Sequence, residues 1–256
     1  MAGKTPSWSW NSWFLIMSVF AQDGYAVRFE WGLEGLKALA PVSDVVIIVD
    51  VLSFTTCVCA GVERKAIVYP FKSKDGRAAE FAAEHKAILA GSRSEHADYS
   101  LSPRSMLKLG PGDRIVLPSP NGSQLSTEYE DKLVLAGCLR NANPTAEKAM
   151  GLGKVVSVIA AGEKWKGTDL LRPSFEDLAG AGAIIHALDR PKSPEALSAE
   201  AAFLAAKNSL VSLMNGCVSG QQLIEMGFPD DVSYSAELNV SQAVPILRDG
   251  AYTSST

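Results

Sequence analysis

The sequence lacks the residue patterns on which several large classes of metal and redox proteins depend. It has only three histidines, and these lie far apart, without the spacing of metal ligands. Four cysteines are scattered along the chain: Cys57, Cys59, Cys138 and Cys217. The close pair is C-x-C, not the C-x-x-C of zinc and dithiol sites. We therefore predict no zinc and no structural disulfide, and we expect a reducing, cytoplasmic setting.

Two common catalytic motifs are also missing. No G-x-x-x-x-G-K-[ST] stretch is present to cradle a nucleotide phosphate, and no G-x-S-x-G stretch is present to hold a serine nucleophile. The haloacid-dehalogenase signature needs an acid two residues after its aspartate nucleophile. After Asp50 that position is Leu52, so the group that protonates the leaving oxygen is absent and we exclude this family.

The chain carries no strong excess of either charge. Its 28 acidic and 24 basic residues give a formal net charge of -4, and neither sign forms a long block. A general affinity for nucleic acid or for an anionic membrane is not expected from such a balance. We expect neither as a partner, so an anion site must be local. Self-association as a homodimer is left open.

Long apolar runs are absent except near the N-terminus, where "WFLIMSVFA" follows Lys4. This run is too short to span a bilayer. Val19 and Ala21 imitate a signal-peptidase site, but a single basic residue precedes the run. A signal peptide is one interpretation. We favour an upstream extension over residues 1–21, from a misplaced start codon, followed by a single α/β domain over residues 22–256.

Apolar runs that are typical of strands alternate with helical patterns along the rest of the chain. The predicted strands include "YAVRFEW", "DVVIIVD", "AIVYPF", "RIVLPS", "KLVLAG" and "KVVSVIAAG". Continuous runs of Val, Ile and Leu indicate strands that are covered on both faces. We therefore predict a three-layer α/β/α fold with a mixed, largely parallel central sheet. The closing "DVSYSAELNVSQAVPIL" is interpreted as one or two edge strands.

Asp50 ends the most apolar of these runs, Val45 to Val49, and three hydroxyl side chains follow it, Ser53, Thr55 and Thr56. Ligands of open α/β sheets bind at the carboxyl ends of strands, so Asp50 stands where a metal ligand would be. The hydroxyls can cap the next helix, whose free N–H groups suit a phosphate or sulfonate oxygen. Alternatively, Asp50 itself caps that helix or pairs with a basic side chain.

Polar residues follow other predicted strands in the same way. The candidates in these loops are Asn121 and Gly122, Cys138 with Arg140 and Asn141, Glu163, Arg172, and the neighbouring Glu176 and Asp177. We predict that the loops after residues 50, 118, 137 and 161 converge. Each candidate also has an ordinary structural interpretation: a tight turn, a buried thiol, or acids that favour a helix N-terminus behind the N-cap Ser174.

The ordered set of these stretches resembles the 2-phosphosulfolactate phosphatase family. The matching blocks are "VVIIVDVLSFTT", "LAGSR" with "SLSP", "LPSPNGSQLS", "LAGCLRNA", "AAGE" with "SFEDLAGAGAI", and "GFPDDVSYSAELN". The form "DVLSFTT" resembles a bacterial branch, because better-known members carry an arginine where this chain has Ser53. Ser92 likewise stands where the family has an acid, so the anion pocket differs from the family pattern.

The resemblance implies a Mg²⁺-dependent enzyme associated with coenzyme M biosynthesis, which hydrolyses a phosphate monoester of a small anionic hydroxy acid. Asp50, Glu163, Glu176 and Asp177 are the acids available for the cation. The implied substrate-binding donors are Ser53, Thr55, Thr56, Arg93, Asn121, Gly122 and Arg172. The implied catalytic group is Asp50, Cys138, Arg140 and Asn141.

Three alternatives stay open at the level of sequence. The attacking group is either water or a protein nucleophile such as Cys138, whose pKa a neighbouring Arg140 could lower. The substrate is either 2-phosphosulfolactate or another phosphorylated acid. From a different functional class, the chain could be a non-catalytic protein that binds small anions and has lost turnover through the changes at Ser53 and Ser92.

Overall fold

The computed structural model describes residues 19–72, 76–93, 97–129 and 131–254. Residues 1–18, which make up most of the predicted N-terminal extension, lie outside the described residues. Gln22, where folding was predicted to begin, is tied to strand β1, because its side chain exchanges two hydrogen bonds with the backbone of Phe29.

The described residues alternate strands and helices. The strands are β1 Val27–Trp31, β2 Val45–Val49, β3 Ile67–Phe71, β4 Ile88–Leu89, β5 Arg114–Pro118, β6 Leu133–Gly137, β7 Val156–Ala160, β8 Glu163–Lys164, β9 Leu171–Arg172, β10 Pro245–Arg248 and β11 Ala251–Ser254. The helices are α1 Gly32–Leu39, α2 Phe54–Glu63, α3 Gly76–Glu84, α4 Pro103–Met106, α5 Gly122–Ser126, α6 Ala142–Leu152, α7 Phe175–Ala187, α8 Pro194–Ala206, α9 Leu210–Gly216, α10 Val218–Glu225 and α11 Pro229–Ser235. The predicted alternation is confirmed.

Strand β2 lies within a sheet of nine described strands, in the order β1-β7-β2-β6-β10-β11-β3-β5-β4. It pairs in parallel with both β6 and β7, so Val49 is level with Gly137 on one side and Ala160 on the other. The loops that follow these three strands therefore start side by side. Strands β8 and β9 form a separate antiparallel hairpin.

Two parallel halves of the sheet are joined by the antiparallel hairpin β10–β11. Three successive antiparallel pairings separate β6 from β3, so β3, β5 and β4 run in the opposite sense to β2 along the ladder. The prediction of edge strands at the C-terminus is wrong, because β10 and β11 lie in the middle of the sheet.

The segment before this hairpin also differs from the prediction, because residues 229–235 form helix α11. Alternating Val and Tyr side chains suggested a strand. Pro229 at the first helical turn, followed by Asp230 and Asp231, favours a helix N-terminus instead.

Helices cover both faces of the sheet, which confirms the three-layer architecture. Val45, Ile47 and Val49 of β2 pack in one apolar cluster with helices α6, α7 and α8. Val46 and Ile48 point the other way and pack in a second cluster with α1 and α2. All five side chains are at most 1% exposed, which explains why the sequence shows a continuous apolar run there.

Helix α7 packs closely because of its small residues. A Cβ on Gly180 would lie 2.5 Å from Val51 Cγ2, and one on Gly182 would lie 2.1 Å from the backbone oxygen of Ala199. Larger side chains would push α7 away from the loop after β2 and from α8. This close approach brings the N-terminus of α7 to the end of β2.

Within the described ranges, no helix combines the length and the apolar character that crossing a bilayer requires.

Candidate functional site

Asp50 follows β2 directly, and its carboxylate lies between the beginnings of two helices. Its Oδ1 accepts the N–H of Phe54, the first residue of α2, at 3.1 Å, and its Oδ2 accepts the N–H of Gly122, the first residue of α5, at 3.0 Å. A Cβ at residue 122 would lie 2.7 Å from Oδ2 and 2.2 Å from the Phe54 ring, so only glycine fits there. Asp50 thus joins the loops after β2 and β5.

The pKa of Asp50 is raised to about 7, first by burial and then by the negative charges of Glu163 and Glu176. The two backbone N–H groups act in the opposite direction and do not prevent the rise. Asp50 is 6% exposed, so water does little to stabilise its charge. The carboxylate is therefore short of compensating positive charge.

Asp177, at the first turn of α7, holds three segments together. Its Oδ1 accepts the N–H of Val51 at 2.7 Å, and its Oδ2 accepts the N–H of Gly162 at 2.9 Å and the hydroxyl of Ser174 at 3.0 Å. Val51 directly follows Asp50, and Gly162 directly precedes Glu163. Burial and the charge of Asp50 raise the pKa of Asp177 well above its usual range.

Glu163 begins strand β8 and forms one wall of the site with Asn121. The Asn121 amide donates to Glu163 Oε2 at 3.1 Å. Burial first, and then the charge of Glu176, raise the pKa of Glu163, while Asn121 and Arg172 act to lower it. Arg172 lies opposite Glu163 in the register of the β8–β9 hairpin, and its side chain donates to Ser219 Oγ at 3.1 Å. The structure thus brings together Asn121, Glu163 and Arg172.

Glu176 is 2% exposed, and its side chain makes a weak polar contact: the Cys217 thiol lies 3.5 Å from Oε2. The charge of Glu176 raises the pKa of both Asp50 and Glu163, and the charges of Asp50 and Glu163 raise the pKa of Asp177. Both acids therefore lie beside Asp50 and Glu163, although neighbouring residues on a helix usually face different directions. Both residues sit in the first turn of α7, where the chain turns towards the loops after β2 and β7.

The carboxyl cluster of Asp50, Glu163, Glu176 and Asp177 has the chemistry of a hard-cation site. The raised pKa values of three members show uncompensated negative charge that a divalent cation would relieve. Across the described ranges, however, no three His, Cys, Asp or Glu side chains form a ready set of direct ligands. Mg²⁺ usually takes one or two protein carboxylates and keeps several waters, so the cluster fits a partly hydrated Mg²⁺.

A second arginine, Arg93, follows β4 and lies on the Ser53 side of the carboxyl cluster. Its Nη2 donates to Ser53 Oγ at 2.9 Å and to Asp231 Oδ2 at 3.3 Å, and its guanidinium lies 5.3 Å from the centroid of the Phe228 ring. Its buried Nε has no hydrogen-bond partner among the described residues. Arg93 is thus linked to the loop after β2 through Ser53, three residues after Asp50, and has an unused N–H donor.

Asp231 is the residue of this arrangement that sequence reasoning missed. It is 2% exposed, pairs with Arg93, and accepts the Ser102 hydroxyl at 2.7 Å. The residue lies in the block "GFPDDVSYSAELN", but the strand interpretation gave it no role. Pro229 followed by two acids was the signal that could have placed Asp231 in a helical first turn.

The hydroxyls of Thr55 and Thr56 are engaged with the backbone of the loop after β2. Thr55 Oγ1 both donates to the Asp50 carbonyl at 2.8 Å and accepts the Asp50 N–H at 2.9 Å. Thr56 Oγ1 donates to the Val51 carbonyl at 2.8 Å. Both threonines are fully buried. They shape the turn that carries Asp50 and Ser53.

Arg140 and Asn141, which follow β6, contact residues outside the carboxyl cluster. The Arg140 guanidinium stacks 3.6 Å from the centroid of the Tyr234 ring and pairs with Glu237. The Asn141 side chain accepts the Cys138 N–H at 2.8 Å and donates to the carbonyls of Ala136 and Ala243. These bonds fix the loop after β6.

The Cys138 thiol is fully buried and lies 3.3 Å from Asn141 Oδ1. Burial acts to raise its pKa, but hydrogen bonds from Cys59, from the backbone N–H groups of Arg140 and Asn141 and from Thr56 outweigh it, so the pKa lies below its usual value. The cause is this hydrogen bonding, not the Arg140 side chain. Cys57 and Cys59 lie in different apolar clusters, as predicted, and all four cysteines are free.

Comparison with known proteins gives one consistent result. Residues 34–250 match the sequence profile of the family described as 2-phosphosulpholactate phosphatase. A 2-phosphosulfolactate phosphatase of Methanothermobacter thermautotrophicus is 30% identical over 214 residues, which cover 81% of this chain and 88% of that protein. A probable 2-phosphosulfolactate phosphatase of Carboxydothermus hydrogenoformans is 33% identical over 216 residues, which cover 78% of this chain and 84% of the relative.

Proposed function

The chain belongs to the 2-phosphosulpholactate phosphatase family, and we propose that it is a Mg²⁺-dependent enzyme that hydrolyses 2-phosphosulfolactate to sulfolactate and phosphate. The observation that carries this proposal is the buried carboxyl cluster next to the Ser53–Arg93 pair. Such a pairing of uncompensated acids with a spare guanidinium donor suits a cation and a small polyanion side by side.

We assign the cation to Asp50, Glu163 and Glu176, one or two of which would bind it directly. Asp50 keeps lone pairs beyond its two backbone N–H bonds, and the oxygens of Glu176 meet only a weak thiol donor among the described residues. When bound, Mg²⁺ would polarise the phosphate oxygens and neutralise the charge that develops on them.

The chain's own residues would then orient the substrate. Arg93 and Ser53 would hold the anionic group of the hydroxy acid, because a guanidinium can donate two parallel hydrogen bonds to a carboxylate or sulfonate. Arg172 and Asn121, on the other side of Glu163, would contact phosphate oxygens. These two groups of donors would thus hold the ester bond between them.

Water is the attacking group that we propose. Cys138 is fully buried and hydrogen-bonded, which leaves it no path to a substrate in this arrangement. Glu163, with a raised pKa, is suited to accept a proton from the attacking water. The water oxygen forms a bond to phosphorus, the ester P–O bond breaks, and the proton taken up by Glu163 passes to the leaving oxygen of the hydroxy acid.

A panel of phosphate monoesters tests the proposal. We expect phosphate release from 2-phosphosulfolactate and, more slowly, from 2-phospholactate, with both activities lost in EDTA and restored by Mg²⁺. Glu163→Gln should lower kcat by at least about 100-fold, whereas the exposed control Glu225→Gln should not change it. Thermal stabilisation by these esters without any phosphate release would instead support an anion-binding protein without turnover.

We also propose a cytoplasmic protein without a nucleic-acid partner, from the cysteine pattern and the charge balance. Sedimentation in dilute solution would decide between a monomer and a homodimer.

A further inference from the structure

Next to the carboxyl cluster lies a cleft that the reaction on a small hydroxy acid does not use. It has a volume of about 390 Å³ and lies between the hairpin β8–β9, the beginning of α1 and the loop after β5. Glu163 and Asn121 line both the cleft and the candidate site, and the hydrogen bond between them forms the shared wall. A ligand held at the cluster could therefore extend directly into the cleft.

The walls away from Glu163 are mainly apolar: Trp31, Leu33, Leu125 and Leu171. Leu171 can pack against the floor because the residues beneath it are glycines. A Cβ on Gly162 would lie 2.7 Å from Leu171 Cδ1, and Gly162 has a φ of +65° that other residues rarely adopt. The backbone of the hairpin therefore leaves room for the apolar side chain that lines the cleft.

The charges of the lining argue against a second anion in this cleft. Among the described lining residues, Glu34, Glu163 and Asp169 carry carboxyl groups and Lys164 alone carries a cation. Lys164 is already paired with Asp169 at 2.9 Å. A carboxylate or sulfonate would meet repulsion here, whereas Arg93 with its spare Nε offers such a group a place on the other side of Asp50.

We propose that this cleft binds an uncharged apolar ester group, so that the enzyme also hydrolyses phosphate monoesters of aryl or branched alkyl alcohols. The inference rests on the proposed function, because the phosphate is held and hydrolysed at the same cluster. Water adds to phosphorus, the ester P–O bond breaks, and the proton that Glu163 takes from water passes to the oxygen of the apolar alcohol. A cleft of about 390 Å³ has room for one aromatic ring.

Binding of two phosphonates tests the cleft without any hydrolysis, because their C–P bond is not cleaved. In Mg²⁺ buffer, calorimetry should show phenylphosphonate binding about tenfold more tightly than methylphosphonate, since the ring leaves water for an apolar surface. Leu171→Asp should abolish this ratio. The control Leu197→Asp, at a position that is 51% exposed on α8, should retain it.

A second variant, Leu33→Asp, covers the case in which Leu171→Asp does not fold. Hydrolysis is then compared for phenyl phosphate and 2-phospholactate, and both cleft variants should lower the ratio of their kcat/KM values about tenfold.

Equal binding of the two phosphonates by the native protein would overturn the cleft while leaving the proposed function standing. A phenyl preference in binding with no hydrolysis of any ester would overturn the proposed function and support the cleft.

Discussion

Strand β2 has a carboxylate at each end, and the two behave in opposite ways. Asp44 precedes the strand and Asp50 follows it, and each accepts two backbone N–H groups. Hydrogen bonds from Val155 and Lys154 lower the pKa of the exposed Asp44, whereas burial and neighbouring acids raise the pKa of Asp50 to about 7. Hydrogen bonding alone therefore does not decide the charge state; the surroundings do.

The geometry of the bonds differs as well. Both N–H groups at Asp44 reach a single oxygen, Oδ2, whereas those at Asp50 are divided between Oδ1 and Oδ2. An asparagine can present one carbonyl oxygen to two donors, but it cannot present two oxygens. The same substitution is thus conservative at one end of the strand and disruptive at the other.

The largest expected effect is that of Asp50→Asn on turnover. We expect kcat to fall by about 10²–10⁴-fold, because a charged group beside the proposed cation is lost and an amide faces a backbone N–H. Stability should fall by about 1–3 kcal/mol for the same unsatisfied donor. Phosphate release and urea unfolding measure the two effects. Full Mg²⁺-dependent turnover in this variant would remove Asp50 from the site and leave only its capping role.

The second prediction concerns pH in metal-free buffer. The folded-state pKa of Asp50 lies above the ordinary value of 3.8, so the folded state binds more protons and stability falls as pH rises from about 4 to 7. The limit of this loss is about 4 kcal/mol. Asp44 has the opposite effect on stability. Its lowered folded-state pKa stabilises the protein at pH values above its ordinary pKa, and this contribution is lost as pH falls through the folded-state pKa.

Unfolding free energies at pH 5 and pH 8, with and without Mg²⁺, measure these contributions. Added Mg²⁺ should stabilise the protein more at pH 8 than at pH 5, because the cation binds the ionised cluster. A stabilisation that is the same at both pH values would contradict the assignment of the cation to these acids.

Asp177→Asn should have the third largest effect, on both stability and activity. An amide cannot accept donors on both sides, so Val51 or Gly162 loses its partner and the loops that carry Asp50 and Glu163 loosen. We expect a loss of about 1–3 kcal/mol together with reduced kcat. Ser174→Ala removes one donor only and should cost about 1 kcal/mol. Equal losses in the two variants would show that Asp177 does not hold the loops together.

Arg93→Lys should raise KM for the hydroxy acid ester about tenfold with little change in kcat, because an ammonium group lacks the planar pair of donors. The ion pair with Asp231 keeps a cation in place and preserves the fold. Steady-state kinetics on 2-phosphosulfolactate separate the two constants. A fall in kcat with unchanged KM would place Arg93 on the transferred phosphate instead of the second anion.

The smallest effect is expected for Asp44→Asn, which serves as the matched control for Asp50→Asn. One carbonyl oxygen can still accept both N–H groups, and only the charge is lost, so we expect less than about 1 kcal/mol of destabilisation. Turnover should stay within about twofold, because the residue is at the far end of β2 from the site. A large loss of activity here would mean that the asparagine substitutions act through the strand and not through the site.

Much of the fold could be predicted because it depends on local patterns. The apolar run of β2 and the small residues of α7 report burial directly, since each position contacts packed neighbours. The convergence of the loops after residues 50, 118 and 161 is confirmed by the bonds of Asp50 to Gly122 and of Asn121 to Glu163. The fourth predicted loop, after residue 137, starts beside the end of β2, but its Arg140 and Asn141 side chains contact other residues. The polar residues at the strand ends could be predicted because they directly follow apolar runs in the sequence.

The α/β class, the covered strands and the acids at their ends follow from the sequence alone, because periodicity and composition act over a few neighbouring residues. Long-range packing places β10–β11 inside the sheet, pairs Asp231 with Arg93 and stacks Arg140 on Tyr234. Each of these depends on contacts between segments far apart in the chain. Such contacts follow from how all the layers pack together, and no local pattern encodes them.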